Sequence, residues 1–400
     1  MFSGDGGASR HTRAAMKLLA SIAFALAVLT APAAAAPQGV SPTPASPQRA
    51  QPPPTEQLPV PGWTLALQSA LEAVDARHPG DIGVYVHHLG RDESFSYRAD
   101  EPWYLASGIK VPVAIAVLRA VARGELALDT RIELRAEDFV DGAGATNYRG
   151  AGSRLRLDWL LEQMIVHSDN TASDVLIRTV GIDAVNAVAA ELTDTAGLHI
   201  TSLADVRRLA YGQLHPSAAR LRSADLLALR RSGAGQARVD KLVQLLRIPP
   251  RELRQPDLDS AFEAYYATGA NSASLVDFGR MLAALAQGRA LDLPRTAYLL
   301  DLMARVQTGQ RRIRAGLPPG ARFEHKTGTQ HRRTCDLGIA AVPLARASEA
   351  PARVVIAACA RGTGTAAGER ALRGIGAAIT ASGVFVQVPP RPTVSPPGPA

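Results

Sequence analysis

The sequence predicts an α+β domain, in which an antiparallel sheet flanked by helices is divided by an inserted all-helical part. Strand-like alternation falls at the two ends of the folded region, at residues 81–89 and 93–98 and again at 322–329, 334–342 and 353–361. The long stretch between those ends reads mainly with helical periodicity. Strands segregated from helices in this way mark an α+β architecture.

The elements follow in order. Residues 63–76 place Leu67, Leu71 and Val74 on one helical stripe. Residues 81–89 alternate Ile82, Val84 and Val86 inward, and 93–98 supply a hairpin partner. Trp103-Tyr104-Leu105-Ala106-Ser107-Gly108-Ile109-Lys110 then opens an apolar helix that starts near Ser107 and ends at Gly124. Residues 131–156 are loop-rich and include the glycine-containing run from Asp141 to Tyr148. Helical stretches are expected at 157–166, 183–192, 203–211, 224–229, 241–246, 275–285 and 298–306, with a last one at 369–380. If the final two strands turn near residues 347–348, Cys335 stands opposite Cys359. A disulfide and a pair of buried thiols both satisfy that placement.

The chain has 400 residues, of which 46 % are hydrophobic, enough to bury a substantial core. Its net charge of +8 is spread along the sequence without a dense basic block, zinc-finger spacing or RNA-binding signature, so nucleic acid is not an expected partner. Nine histidines are scattered with no His-Glu-x-x-His or paired His/Cys spacing, so no metal is expected. Arg10, Arg13 and Lys17 precede a short apolar run and the small residues 31–36, which reads as a signal peptide over residues 1–36. The run is short for a membrane span. A Pro-rich linker at 37–62 and a Pro-rich tail at 389–400 bracket a folded domain at 63–388. Within that domain the α/β part is expected at about 63–106 and 290–388, and the helical part at about 107–289. The expected location is periplasmic or secreted, as a monomer.

Three short segments carry chemistry. Ser107 and Lys110 stand one helical turn apart, which reads either as a helix cap and a solvated charge or as a nucleophile with its base, since a serine hydroxyl becomes a nucleophile when a neighbouring base takes its proton. Lysine serves as that base when burial lowers its pKa. Only four of the 44 basic residues are lysines, Lys17, Lys110, Lys241 and Lys326, so a lysine in an apolar setting marks a site that needs a group able to lose its proton. The second segment is Ser168-Asp169-Asn170, between two apolar helices; it reads either as a turn and helix cap or as a cleft wall in which Ser168 relays a proton and Asn170 binds an amide. The third is Lys326-Thr327-Gly328-Thr329, which reads either as an edge strand that presents its lysine to solvent against aggregation or as a template for an extended substrate. There Lys326 and the threonine hydroxyls are suited to a carboxylate, and Gly328 leaves the backbone open to a substrate. Backbone N–H groups of Ser107 and Thr329 would form an oxyanion hole.

Ser-x-x-Lys, then Ser-Asp-Asn 61 residues later, then Lys-Thr-Gly before two further strands resembles the serine β-lactamases and penicillin-binding proteins. The order of elements is similar to that of the class A β-lactamases. The resemblance implies the β-lactamase/DD-peptidase-like fold and acyl transfer on a β-lactam or a D-alanyl-D-alanine-like amide, without a cofactor. It implies Ser107 as nucleophile, Lys110 as proton acceptor and Ser168 as proton relay. Asn170 would bind the substrate side-chain amide, and Lys326 and Thr327, with Gly328 and Thr329, would hold its other end. The sequence departs from the class A pattern twice. Arginine replaces the glutamate that activates the deacylating water, in the stretch from His199 to Leu209, and Glu191, Asp205, Glu252 and Glu263 are the candidate replacements. No arginine stands at the usual place on the strand after Lys-Thr-Gly, which leaves Arg332 and Arg333 as candidates.

Overall fold

In the computed structural model the described residues are 61–193, 197–343 and 350–386. They all belong to a single unit, residues 58–400. The expected signal peptide, the linker up to residue 60, the hairpin turn at 347–348 and the tail lie outside them.

Helix α1 (Gly62–Asp75) leads into strands β1 (Asp81–His88) and β2 (Glu93–Tyr97), then the short β3 (Trp103–Tyr104) and helix α2 (Lys110–Ala122). A small ribbon of β4 (Arg131–Glu133) and β5 (Arg154–Arg156) precedes α3 (Leu157–Val166), α4 (Asn170–Val180) and α5 (Ile182–Thr193). Next come α6 (Leu203–Gly212), α7 (Ser223–Arg231), α8 (Gln236–Leu246), α9 (Leu258–Tyr266), the short β6 (Ser272–Ala273), α10 (Leu275–Ala286) and α11 (Leu293–Ala304). Strands β7 (Arg322–Gln330), β8 (Arg333–Val342) and β9 (Ala352–Arg361) and helix α12 (Thr365–Ala381) complete the chain.

The five long strands form one antiparallel sheet in the order β2-β1-β9-β8-β7. β9 sits at its centre because its run of small and branched apolar residues can be buried on both faces. Val354, Ile356, Ala358 and Ala360 pack with Leu67, Leu71, Leu372 and Ile375 of α1 and α12. Val355, Ala357 and Cys359 turn the other way, into a larger core shared with α2, α3, α4 and α10. Each large side chain buried there contributes about 1.5–3 kcal/mol. Two cores back to back on one sheet fix the register, since a slip by one residue would exchange the faces. Cys335 does stand opposite Cys359, with Cα atoms 4.0 Å apart, and the two are joined as a disulfide.

Several expectations need correction. The α-helix expected to start near Ser107 begins at Lys110, and Ser107 lies in a tighter 3₁₀ turn, Ala106–Ile109, that leads into it. Helix α9 was not among the expected helices. Its Asp257 carboxylate nonetheless accepts the Ser260 N–H (2.8 Å) as an N-cap, and Leu258, Ala261, Phe262 and Tyr265 line one face. Helix α11 starts five residues earlier than expected, where Asp292 caps a first turn containing Pro294. The paired strands β3 and β6 were also missed, being too short to show periodicity. They clip the Ser107 segment to the helical part, where Leu105 N–H donates to the Asn271 carbonyl (3.0 Å).

Candidate active site

The turn around Ser107 is packed on nearly every side. Leu105, Ala106, Gly108 and Ile109 are buried, whereas Ser107 keeps partial access to solvent. Ala106 has a left-handed backbone (φ 49°), which costs about 1–3 kcal/mol for a residue with a Cβ and is held by the surrounding packing. In a 3₁₀ turn, side chains three apart eclipse each other, so Ser107 and Lys110 leave the backbone on the same face.

Lys110 is fully buried, and its ammonium group is held by the segment that begins α4. Its Nζ donates to the Ser168 carbonyl (2.6 Å), the Asn170 Oδ1 (2.7 Å) and the Ser168 Oγ (3.3 Å). Lys326 reaches the same hydroxyl from β7, with Nζ 3.0 Å from Ser168 Oγ. Burial lowers the Lys110 pKa to about 7, against the opposing pull of the Asp169 and Asp174 carboxylates. Burial, joined by the positive charges of Lys110 and Arg312, holds Lys326 well below the usual lysine range.

Ser168 is itself left-handed (φ 60°), and its neighbours hold it there. The Asp169 carboxylate caps α4 by accepting the Ala172 N–H and also accepts the Thr146 N–H, both at 2.9 Å. The second bond draws the loop that starts at Asp141 over the segment. A Cβ on Gly142 would lie 2.4 Å from Asn170 Nδ2, and one on Gly144 would lie 2.1 Å from the Asp169 carboxylate, so this loop requires glycine at both places. Asn170 Nδ2 in turn donates to the Asp141 carbonyl (2.7 Å).

β7 forms the facing wall at the sheet edge, as expected, but Lys326 is fully buried rather than presented to solvent. Gly328 also has a different reason from the one anticipated. A Cβ there would lie 2.2 Å from the Leu105 carbonyl oxygen, so glycine lets β7 close against the turn that carries Ser107. Thr327 Oγ1 is 2.5 Å from Thr308 Oγ1, and Thr329 is exposed.

The arginine that serves this strand is Arg312, which the sequence reading missed because it lies in an irregular connection. It is buried, and Nη1 donates to the Gly328 and Cys335 carbonyls (3.0 and 2.9 Å) while Nη2 donates to Thr329 Oγ1 (2.7 Å). Arg332 and Arg333 are engaged elsewhere, the first with the Gly362 carbonyl and the second with Glu263 while stacked on Tyr266.

These residues line one cleft of about 540 Å³, which holds Ser107, Ser168, Asn170, Thr327 and Thr329 together. Across from β7 stands Arg207, from the stretch where the sequence departs from the class A pattern. Its Nε lies 2.6 Å from the carboxylate of Asp141, which is the one acidic side chain on the cleft among the described residues. Burial disfavours the Arg207 charge, but Asp141 outweighs it and leaves the pKa above the ordinary arginine value. None of the four candidate carboxylates lines the cleft. Glu191 pairs with Arg119, Asp205 with Arg208 and Glu263 with Arg333, at 2.6–2.8 Å, and Glu252 faces His215 at 3.9 Å.

The same arrangement of sheet and helices occurs in solved structures. A β-lactamase from Sphaerobacter thermophilus superposes with a TM-score of 0.58 at 27 % identity, covering 82 % of this chain and 99 % of that one. PBP-A, a mutant of which was solved as an acyl-enzyme complex with penicillin G, superposes with a TM-score of 0.59 at 22 % identity, covering 80 % and 96 %. In sequence, a β-lactamase of Streptomyces fradiae is 30 % identical over 125 residues, 30 % of this chain and 40 % of that protein. One of Rhodobacter capsulatus is 32 % identical over 116 residues, 29 % and 39 % of the two lengths. The chain thus matches about two fifths of the length of these relatives. The model of the β-lactamase enzyme family extends the match to residues 66–382, nearly the whole described region, and the chain belongs to that family.

Proposed function

We propose that this protein is a serine hydrolase that opens the β-lactam amide through an acyl-enzyme on Ser107. The observation that carries the reading is the Ser168 hydroxyl between two buried lysines, 3.3 Å from Lys110 Nζ and 3.0 Å from Lys326 Nζ. The Lys110 amine, its pKa lowered by burial to about 7, forms with the neighbouring hydroxyl a path along which a proton can move in either direction near neutral pH. Ser107 Oγ attacks the carbonyl carbon as Lys110 Nζ takes its proton. The oxyanion is held by the N–H groups of Ser107 and Thr329. When the C–N bond breaks, Ser168 passes its proton to the leaving nitrogen and is replenished from Lys110. Thr327, Thr329 and Lys326 hold the substrate carboxylate, Arg312 fixes the strand that bears them, and Asn170 binds the acyl-side amide. Residues 1–36 support a periplasmic or secreted location.

A second reading concerns the fate of the ester. Glu191, Asp205, Glu252 and Glu263 lie off the cleft, and Asp141 is engaged by Arg207. This arrangement favours a D-alanyl-D-alanine peptidase, an esterase or a β-lactam-binding sensor that releases penicillins slowly. Intact-protein mass spectrometry with benzylpenicillin separates the two readings. A transient adduct that decays as drug is consumed identifies a β-lactamase, and a lasting adduct identifies the slow-release class. Ser107→Ala should carry no adduct, and labelling that survives in this variant would place the nucleophile elsewhere.

A further inference from the structure

We propose that the helical wall of the cleft is a subsite for an anionic group on the acyl portion of the substrate, built by Arg230 and Arg238 beside Arg207. The inference rests on the acyl-transfer reading above and adds the substrate class to it.

Arg207 comes from α6, Arg230 from α7 and Arg238 from α8, yet all three line the cleft that contains Ser107. Their place relative to the substrate follows from one chain of contacts. Asn170, the residue for the acyl-side amide, donates to the Asp141 carbonyl, and the Asp141 carboxylate pairs with Arg207. The arginines therefore adjoin the acyl end, whereas Lys326, Thr327 and Thr329 occupy the other wall.

Asp141 answers only one of the three charges. Among the described residues, neither Arg230 nor Arg238 has a carboxylate within ion-pair distance. Arg238 also has a buried Nε without an acceptor, although its Nη2 donates to the Gly233 carbonyl. A buried guanidinium N–H lacking an acceptor is uncommon and calls for one. Tyr211, also on the cleft, is buried. Burial raises its pKa, and the charges of Arg238 and Arg207, on the same cleft, oppose that rise. Arginines are common on this surface, but elsewhere most are paired with Asp or Glu. Here three converge on a concave site with one acid, an arrangement suited to a carboxylate.

The test compares acylation of the full-length protein by carbenicillin and by benzylpenicillin, which differ by one carboxylate on the acyl side chain. In the Arg230→Ala/Arg238→Ala variant, the carbenicillin-to-benzylpenicillin ratio of acylation rate constants should fall about five- to twentyfold. In the wild-type protein, salt at about 0.5 M should lower the same ratio. Thermal melting of the variant reports whether it is folded. An unchanged ratio in a folded variant overturns the subsite.

Calorimetric binding of the same two compounds to Ser107→Ala, with and without the arginine substitutions, supplies a readout that needs no acylation. If neither compound acylates the wild type, the acyl-transfer reading fails. Arginine-dependent preference for carbenicillin in the calorimeter still supports the subsite in that case, and equal binding overturns it.

Discussion

Lys110 gives the sharpest quantitative expectation, because its burial places a proton-transfer group inside an accessible pH range. An ordinary lysine of pKa 10.5 is neutral in about one molecule in three thousand at pH 7. Burial brings Lys110 to about 7, so that half of the molecules carry a neutral amine there. If the neutral amine is the base for Ser107, acylation requires loss of the Lys110 proton and speeds up as pH rises. The neutral fraction grows from about 3 % at pH 5.5 to about 97 % at pH 8.5, so the second-order acylation rate constant for benzylpenicillin should rise about thirtyfold, with half its maximum near pH 7. Quenched-flow mass spectrometry gives this constant directly, and circular dichroism at each pH confirms that the fold is unchanged. A rate that is flat over this range, or one still rising with unit slope at pH 8.5, would refute the assignment of Lys110 as the base. Lys110→Met should remove the inflection along with most of the rate.

Two further perturbations test the scaffold. Gly328→Ala would set a methyl group 2.2 Å from the Leu105 carbonyl oxygen and push β7 away from the nucleophile turn, lowering stability by about 1–3 kcal/mol. A displacement of about 1 Å between the two walls should slow acylation about a hundredfold, and a variant with wild-type kinetics would show that the two walls need not touch. The Cys335→Ala/Cys359→Ala variant removes a cross-link between residues 24 apart, which should cost about 3 kcal/mol in denaturant unfolding. An unchanged midpoint would argue against the cross-link.

The sheet and most helices are legible in the sequence because burial leaves a periodic trace. The strand pair carrying Cys335 and Cys359 can be registered by counting once a turn is assumed near residues 347–348, and the two cysteines do fall opposite each other. Helix α9 is harder to see, although its cap and apolar stripe are both local features. The motif residues Ser107, Lys110, Ser168, Asn170, Lys326 and Thr327 are recognisable by type and spacing, and the fold brings them to one place. Gly328 is recognisable as part of the same motif, but its purpose is not, because the atom that would clash with its Cβ lies more than 200 residues earlier in the chain.

The sequence alone therefore determined the α+β class and the order of the five long strands and most helices, all properties of local pattern. Only the tertiary structure decided how the charges are shared. Arg312, Asp141 and Arg207 sit in connections and on a helix with no distinguishing pattern, yet each is fixed by a partner far along the chain. The four acidic candidates are equivalent in sequence, and packing commits each of them to a partner away from the cleft. The lowered pKa of Lys110 likewise belongs to no local motif. It arises from burial under α4 and the glycine loop, a desolvation that exists only once distant segments have closed over the amine.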